Sequence, residues 1–386
     1  MKKTLQEISL SKGEYGGGFS AVDYFENAPR YIRITDITEN GKLKDKIKAP
    51  SGNPEEWEKY TLQEGDLLFA RSGATVGKTF LYQKSHGKSI YAGYLIRFQI
   101  KKEIAFPKYI YYYTKTPEYY AWIKNKQKVV AQPNINAKQY GTELKIPLPP
   151  LPEQKRIAAI LDEADKLRQL DKQLLEKYDK LAQSLFLDMF GDPVVNPKGW
   201  EKKATINYCS CIVPGRDKPK SFTGKTPWVT TNDLNHLGYV SHSKSNIGLT
   251  NEEITQVKAK IIPINSVIMT CVGDLGVISV NKKEMVVNQQ LHTFQCSKEI
   301  NPLFLMFSIS YQKPYMYKMA STTTVAYMNK TTANNTPTIL PPIELQNQFA
   351  KRIAAIEAQK AQVQTTLANS NNLFDSLLQK AFKGAL

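Results

Sequence analysis

The stretch SGATVGKT (72–79) has the residue types of a phosphate-binding loop, in which backbone amides wrap phosphates and a Lys-Ser/Thr pair completes the site. The spacing does not fit that motif. Ser72 stands where the first glycine is required, and the interval from Gly73 to Gly77 is too short by one residue. Short β-type runs flank the glycines, so the sequence predicts the tip of a β-hairpin and not a nucleotide site.

A second glycine-rich stretch, GGGFSA (16–21), formally fits the G-x-G-x-x-A fingerprint of dinucleotide binding. It follows no clear strand pattern, and Pro29 interrupts the helix that the motif would have to open. The LPPL and LPPI segments (148–151 and 340–343) lack the polar first residue and aromatic last residue of the amino-methyltransferase signature. No G-x-S-x-G nucleophile turn occurs either. We therefore expect the chain to catalyse no reaction itself.

The histidines and cysteines lack the spacing of a metal site. Structural zinc sites usually combine two close cysteine pairs, or one such pair with a matched histidine pair. Here only Cys209 and Cys211 are close in sequence, and no H-E-x-x-H motif is present. We expect free, reduced thiols, no bound metal and a cytoplasmic location. The residues concerned are His86, His236, His242, His292, Cys209, Cys211, Cys271 and Cys296.

The charge of the chain points to a polyanionic partner. The formal net charge is +17 and the isoelectric point is about 9.4. Residues 1–151 carry 24 Lys and Arg against 15 Asp and Glu, and residues 191–342 carry 16 against 9. The remaining stretches, 152–190 and 343–386, are nearly neutral. Because the excess is confined to two regions, it favours nucleic acid as the partner over a general role in solubility.

Those two neutral stretches contain no proline after their first residues and have apolar side chains at heptad spacing, which is typical of helices that pair along a seam. Single amphipathic helices of this length fold poorly alone, so we expect the two to pair with each other. The first predicted seam is Ile157, Ile160, Ala164, Leu167, Asp171, Leu174, Tyr178, Leu181 and Leu185. The second is Phe349, Ile353, Ile356, Lys360, Val363, Leu367, Ser370, Phe374, Leu377 and Ala381.

The chain is also duplicated. LPPLPEQKRIA (148–158) resembles LPPIELQNQFA (340–350), and YIRITDI (31–37) resembles WVTTNDL (228–234). In the same way GDLLFARSGATVG (65–77) aligns with NSVIMTCVGDLG (265–276). Each copy combines short strands with a pair of aromatic-rich helices, at 109–125 and 304–320, whose rings we expect to fill a core. The prolines of each LPP segment would end a globular domain and release the chain into a long helix.

The predicted fold class is therefore α+β, with two tandem α/β-type domains separated by two long helices that pair as an antiparallel coiled coil. Antiparallel pairing would place the domains at opposite ends of a rod, related by a pseudo-twofold axis, as in readers of split DNA sites. The predicted segments are a first domain at 1–150, a first helix at 151–190, a second domain at 191–341 and a second helix at 342–386.

Together with MFGDPVVNPKGWE (189–201), these repeated motifs resemble the specificity subunit of type I restriction-modification enzymes over essentially the whole chain. The resemblance implies two target-recognition domains that each read half of a bipartite DNA site, with paired helices that set the spacer. It also implies partners. Two methyltransferase subunits would bind S-adenosylmethionine, and two restriction (translocase) subunits would use ATP and Mg²⁺ to cut unmodified foreign DNA. This chain would hold no cofactor, and no membrane partner is expected.

DNA affinity should come from Lys and Arg on phosphates, and sequence should be read by a few side chains on base edges. Candidates beside glycine-bearing loops of the first domain are Lys12, Tyr15, Arg30, Arg33, Arg71, Ser72 and Lys78. The second domain offers Arg216, Lys218, Lys220, Lys225, Thr230, Thr231 and Asn232. In the aligned repeats Arg71 corresponds to Cys271 and Arg33 to Thr230, as different half-site sequences would demand.

Two other functions stay open at this point. A nucleotide-using enzyme would rest on SGATVGKT, and its ATP turnover would depend on Lys78. A coiled-coil scaffold for other proteins would rest on the heptads alone and would show negligible DNA retention at low salt, even with its partners present. The incomplete loop disfavours the enzyme, and the partition of basic charge disfavours the scaffold.

Overall fold

The computed structural model describes residues 1–127, 134–215, 217–321 and 325–386. The chain forms two compact units. The first unit comprises Met1–Leu170 and Leu367–Leu386, and the second comprises Asp171–Thr366. Each unit contains strands, short helices and one segment of each long helix. The predicted α+β class with two tandem domains and two long helices is confirmed.

The first unit is built on short strands. These are β1 (Lys2–Thr4), β2 (Glu14–Tyr15), β3 (Ala21–Asp23), β4 (Arg30–Ile32), β5 (Lys48–Pro50), β6 (Leu67–Ala70), β7 (Thr79–Leu81), β8 (Ser89–Tyr91), β9 (Leu95–Phe98) and β10 (Lys145–Pro147). The helices are α1 (Pro54–Trp57), α2 (Pro107–Tyr113), α3 (Pro117–Gln127), α4 (Ala137–Glu143) and the beginning of α5 (Leu151–Phe190).

The central sheet of the first unit has the strand order β2-β9-β6-β7. Strand β6 reads LLFA and all four residues are buried, because both faces of the strand are covered. Leu67 and Phe69 face the cluster that includes the helices, whereas Leu68 and Ala70 face a second cluster. Successive side chains of a strand point to opposite faces, so one short apolar run supplies two cores.

The second unit repeats this plan. Its strands are β11 (Glu201–Ala204), β12 (Cys209–Ser210), β13 (Thr226–Val229), β14 (Gly238–Val240), β15 (Gly248–Leu249), β16 (Ile261–Ile262), β17 (Val267–Thr270), β18 (Ile278–Asn281), β19 (Met285–Val287), β20 (Leu291–Cys296) and β21 (Pro337–Leu340). Its helices are α6 (Asn251–Gln256), α7 (Pro302–Ser310), α8 (Lys313–Met319), α9 (Lys330–Asn334) and most of α10 (Ile343–Lys383).

The sheet order β12-β20-β17-β18-β14 contains the same four-stranded arrangement as β2-β9-β6-β7. In both units a parallel pair lies beside it, β4 with β8 and β13 with β19. The first strand of each unit pairs antiparallel with its last, β1 with β10 and β11 with β21. The polypeptide thus enters and leaves each domain at adjacent strands, immediately before a long helix.

A buried glutamine fixes each of these exits. Gln154 is fully buried; its side-chain oxygen accepts from the Phe106 backbone N–H (2.8 Å), and its amide donates to the carbonyls of Ile104 and Pro149 (3.0 and 2.8 Å). Gln346 makes the equivalent set in the second unit. It accepts from Asn301 N (2.8 Å) and donates to the carbonyls of Glu299 and Pro341 (3.1 and 2.8 Å).

The long helices run antiparallel within each unit. In the first unit the Arg156 guanidinium donates to the Leu386 carbonyl (2.8 Å), and the Arg168 guanidinium stands 3.6 Å from the centroid of the Phe374 ring. In the second unit Lys360 Nζ lies 2.8 Å from Asp179 Oδ1, and the rings of Phe186 and Phe349 are 5.5 Å apart. As residue numbers rise along α5, those of its partners on α10, and of Leu386 just after it, fall, so antiparallel pairing is confirmed.

All residues predicted to form the seam of α10 are buried or half-buried. The prediction for α5 is partly wrong, because several of its predicted seam residues are exposed. Leu167, Leu174 and Leu181 are 50%, 39% and 51% exposed. The buried stripe of α5 starts at Ile157 and continues in alternating steps of four and three residues, through Leu161 and Ala164. The buried residues of α5 include Leu161 in the first unit and Ala182 and Phe186 in the second. Helix α5 carries two leucine-rich stripes, and the sequence pattern does not distinguish which one meets the partner.

The aromatic-rich helices contribute to the core, as expected. Tyr109 and Tyr119 of the first unit and Phe304 and Phe307 of the second are at most 1% exposed. Among the described ranges, no helix is both long enough and apolar enough to span a membrane.

Candidate nucleic-acid interface

The stretch 72–79 is the tip of the β6–β7 hairpin, as predicted. A single 3-10 turn, Gly73–Thr75, joins the strands, and Gly73 and Gly77 adopt positive φ angles of 67° and 88°. A side chain at Gly77 would also meet Ile123 at 3.0 Å, so glycine is required there for two reasons. Lys78 Nζ pairs with Glu39 Oε1 at 2.6 Å. Strand β7 follows, where a phosphate-binding loop would open a helix.

Arg71 precedes this tip and stands between two tyrosine rings. Its guanidinium carbon lies 4.8 Å from the ring centroid of Tyr15 and 5.9 Å from that of Tyr94, both within cation–π range. Both tyrosines are exposed, at 42% and 58%. Backbone hydrogen bonds hold Arg71, whose N–H donates to the Tyr94 carbonyl (3.1 Å) while its carbonyl accepts from Ile135 N (2.8 Å). We call Arg71, Tyr15 and Tyr94 the arginine clamp.

The arginine clamp borders an open cavity of about 700 Å³. Its lining combines aromatic rings, glycine backbone and two arginines, and includes Phe19, Tyr31, Arg33, Arg71, Gly93 and Tyr94. The structure therefore brings together Tyr15, Arg33 and Arg71 of the residues predicted to contact DNA. Aromatic faces, exposed glycine backbone and guanidinium groups suit a nucleic-acid surface.

The two remaining candidate arginines of this unit, Arg33 and Arg30, are both paired within the protein. Arg33 donates Nε and Nη2 to the carboxylate of Asp36 (2.9 and 2.7 Å), and this pairing raises the pKa of Arg33. Arg30 donates to the Lys44 carbonyl, and its burial lowers its pKa. Both guanidiniums are therefore engaged inside the protein.

Lys12 and Ser72 complete the first set. Lys12 is exposed, next to Gly13, which has a φ of 92°. Ser72 precedes the 3-10 turn of the hairpin, and its carbonyl accepts from Thr75 Oγ1 at 3.1 Å. Whether Lys12, Tyr15, Arg30, Arg33, Arg71, Ser72 and Lys78 contact DNA stays a prediction.

In the second unit a basic loop precedes β13. Lys218, Lys220 and Lys225 are exposed on it, whereas Arg216 lies outside the described residues. Thr230 is committed to the fold, because its backbone N–H and its hydroxyl both donate to Asp233 Oδ2 (2.7 and 2.9 Å). Thr231 and Asn232 form the 3-10 turn that follows. The side chain of Asn232 is exposed, and its carbonyl accepts from Lys244 Nζ (2.8 Å).

A buried carboxylate, Glu253 on α6, anchors the basic loop. It accepts hydrogen bonds from the hydroxyls of Ser221 (2.6 Å) and Thr223 (3.0 Å) and from the backbone N–H groups of Thr223 (3.2 Å) and Thr250 (2.8 Å). Bonds to the ionised form, led by that from Ser221, lower the pKa of Glu253 to about 2. Glu253 therefore orders the loop that carries the three exposed lysines.

This anchoring predicts a pH dependence. The pKa of Glu253 is depressed from 4.5 to about 2, so its ionised form stabilises the folded state above about pH 4.5. That contribution is lost as the pH falls from about 4.5 towards about 2. Glu253→Gln should reduce stability at neutral pH and flatten its acid dependence, measured as the denaturation midpoint across this range. Glu284→Gln, which removes an exposed carboxylate of the same unit, should keep the wild-type profile.

One cluster of the second unit resembles a Cys-His-Asn catalytic arrangement. Cys211 Sγ lies 3.3 Å from His292 Nε2, which lies 2.9 Å from Asn334 Oδ1. Desolvation raises the pKa of Cys211 and lowers that of His292 to about 4. A nucleophilic cysteine needs the opposite shift, since the thiolate is the reactive form. The cysteines are free, and no group of His, Cys, Asp and Glu among the described residues has the geometry to hold a metal ion.

The family model for the type I restriction modification DNA specificity domain matches this chain twice, over residues 10–178 and 211–370. The chain belongs to the type I restriction-modification specificity family. Each match spans most of one α+β domain and much of the long helix that follows it.

Other members of the specificity family are similar over long stretches. The putative type I restriction enzyme MjaX specificity subunit of Methanocaldococcus jannaschii is 26% identical over 337 residues, 83% of this chain and 77% of that protein. The type I restriction enzyme EcoBI specificity subunit of Escherichia coli is 26% identical over 323 residues, 72% of this chain and 65% of that protein.

Solved structures share the fold of the specificity family. The type I restriction-modification system S subunit from M. genitalium has a TM-score of 0.60 at 15% identity, over 99% of this chain and 96% of that one. A chain from a structure concerned with assembly and conformational transition of the type I restriction-modification system has a TM-score of 0.55 at 18% identity, over 100% and 98%.

Sequence reasoning missed several residues of this specificity-family chain. Tyr94 gave no signal, because only the folded sheet brings it beside Arg71. Glu253 carried a recognisable capping-box pattern with Thr250, but its hold on the basic loop was not evident. Gln154 and Gln346 were visible as the one polar residue shared by the two LPP segments.

Proposed function

We propose that this chain is the DNA-sequence specificity subunit of a type I restriction-modification complex. Each α+β domain reads one half of a bipartite DNA site. The observation that carries this proposal is the double match of the DNA specificity domain, because each match falls on a domain that concentrates basic charge. A protein with two DNA-recognition domains is suited to a site with two halves. The positive charge of each domain supplies the part of DNA affinity that does not depend on sequence.

The two domains would combine phosphate and base contacts. The exposed Lys12, Lys218, Lys220 and Lys225 suit phosphates, where each contact contributes to a salt-dependent affinity. The arginine clamp and the exposed Asn232 have the planar donor groups that read base edges. Sequence preference would therefore rest on fewer residues than affinity does.

The paired helices would serve as the spacer between half-sites and as the docking platform for methyltransferase subunits. We infer two such subunits, which bind S-adenosylmethionine and methylate one adenine in each half-site. Two restriction subunits would add ATP- and Mg²⁺-dependent translocation and cleavage of unmodified DNA. The chain itself would supply recognition without catalysis in the cytoplasm.

Methylation mapping tests the function directly. Cells that express this chain with its methyltransferase subunit should carry methylated adenines in one split motif, with one adenine per half on opposite strands. Replacing residues 1–147 with the corresponding domain of another family member should change one half of the motif only. An uninterrupted motif, or methylation that does not depend on this chain, would refute the proposal. A change in both halves would refute independent reading by the two domains.

A further inference from the structure

We propose that Arg71 reads a guanine in the half-site bound by the first domain, through paired hydrogen bonds to the O6 and N7 atoms of that base in the major groove. This inference rests on the proposed function and assigns base chemistry to one residue of it. Three features carry it: the unengaged guanidinium of Arg71, the clamp that holds it, and the different residue at the same place in the second unit.

The first unit contains six arginines, and Arg71 differs from the others. Among the described residues its guanidinium has no hydrogen-bond acceptor and no carboxylate partner, and its Nε is buried without one. The remaining guanidiniums donate to protein oxygens: Arg30 to the Lys44 carbonyl, Arg33 to Asp36, Arg97 to Glu14, Arg156 to Glu153 and Arg168 to Asp165. Arg71 is thus equipped to donate to an acceptor outside the protein.

The clamp fixes Arg71 before any ligand arrives. The rings of Tyr15 and Tyr94 hold the guanidinium by cation–π attraction and use none of its N–H groups. The Tyr15 hydroxyl in turn accepts from the backbone N–H of Ala137 (3.0 Å), which fixes that ring. An arginine side chain normally loses much rotamer freedom on binding, so a held arginine binds with a smaller entropic cost. The N–H groups on the two terminal nitrogens, Nη1 and Nη2, therefore remain unpaired among the described residues and are held in a defined place, whereas Nε is buried.

Guanine is the base that matches this donor group. A guanidinium offers a planar fork of N–H groups, and guanine presents two acceptors, O6 and N7, on its major-groove edge. Adenine has an amino donor where guanine has O6, so it would place one donor against another. A phosphate could also accept two of these hydrogen bonds, but it carries no sequence information. If binding by an Arg71 variant no longer depends on one particular guanine, Arg71 contacts that base. If its binding is weakened equally on all sequences, Arg71 contacts a phosphate.

The second unit supports the assignment by contrast. Cys271 takes the place of Arg71 within the same backbone hydrogen bonds, donating to the Gln290 carbonyl (2.8 Å) and accepting from Met328 N (2.9 Å). Gln290 therefore occupies the position in the second unit that Tyr94 occupies in the first, because each carbonyl accepts the equivalent backbone hydrogen bond. A cysteine offers a single weak S–H donor and no planar fork of N–H groups. The same framework thus holds different side chains at one point, which suits two half-sites of different sequence.

The test uses the full chain assembled with its methyltransferase subunit and a duplex that carries the mapped site. Each guanine of the first domain's half-site is replaced in turn by 7-deazaguanine, which lacks the N7 acceptor. For the wild type, one replacement should weaken binding by roughly 10- to 100-fold. Arg71→Ala should weaken binding of the unmodified duplex to a similar degree and show no further loss on that replacement.

Lys59→Ala is the matched control. Lys59 is also a cation beside a tyrosine ring, 5.0 Å from the centroid of Tyr60, but it lies away from the arginine clamp in the chain and outside the cavity beside it. It should retain the full dependence on guanine. The thermal midpoint and the affinity for unrelated DNA, measured for every variant, show whether the fold is intact.

Three results would overturn the inference while leaving the proposed function intact. The first is a half-site for the first domain that contains no guanine. The second is an Arg71→Ala variant that keeps the wild-type response to 7-deazaguanine. The third is an Arg71→Ala variant whose affinity falls equally on all DNA sequences and depends less on salt. The last result would identify a phosphate contact. A wild-type assembly without sequence preference would instead refute the proposed function, and this inference with it.

Discussion

Phe186→Ala should destabilise the second unit by about 3–5 kcal/mol, the largest loss that we expect from a single substitution. The Phe186 ring is fully buried and meets the rings of Phe190, Phe304 and Phe349 at 5.1, 5.7 and 5.5 Å. These neighbours belong to α5, α7 and α10, so one side chain joins both long helices to the recognition domain. Truncation would leave a cavity that three separate elements cannot close together.

Denaturant unfolding of the isolated chain measures this effect. Leu181→Ala is the control, since Leu181 lies on the same helix and belongs to the seam that the sequence pattern predicted. It is 51% exposed, and its truncation should change stability by less than about 1 kcal/mol. If the two variants lost similar stability, the observed phase of the seam would be wrong.

Gln346→Leu should cost roughly 2–5 kcal/mol, because it leaves buried polar groups without partners. The Gln346 side chain is fully buried and satisfies the N–H of Asn301 and the carbonyls of Glu299 and Pro341. Leucine keeps most of the volume but can neither donate nor accept. The loss therefore reports the hydrogen bonds rather than packing, and it should loosen the junction between the second domain and α10.

Gln348→Leu provides the matched comparison for this junction. Gln348 is exposed on the same first turns of α10, so an identical change of residue type should have little effect there. Thermal unfolding with hydrogen exchange at residues 299–301 would resolve both stability and local opening. A Gln346→Leu variant with the wild-type midpoint and protection would show that the three bonds contribute nothing net.

Much of this architecture was predictable from the pattern of residues. The glycines of 72–79 mark a turn, and the β-branched and aromatic runs beside them mark strands, because both are local preferences of the backbone. The two long helices and their pairing followed from heptads that no proline interrupts. Duplication of the LPP segment indicated two domains with equivalent exits, and Gln154 with Gln346 gives that shared segment a physical role.

Which of the two leucine-bearing stripes of α5 faces the core was not predictable in the same way. A heptad repeat fixes the period of a stripe, and α5 has leucines on two adjacent stripes. Leu161 is buried in the core cluster that also contains Phe374 and Leu378 of α10, whereas Leu167 is half exposed. That choice depends on which face the rest of the unit covers, which is a property of tertiary packing.

The sequence by itself determined the strands, the hairpin tip, the long helices and the division of basic charge, because local backbone preference and side-chain periodicity act over short stretches of chain. Only the tertiary structure decided which charged groups are available. Arg33 is engaged by Asp36, and Lys78 is paired with Glu39, whereas Arg71 is held by Tyr15 and Tyr94 with its donors unengaged. Asp36 is close to Arg33 in the chain, but Glu39, Tyr15 and Tyr94 come from strands and loops far from Lys78 and Arg71, so only folding assigns those two cations their roles.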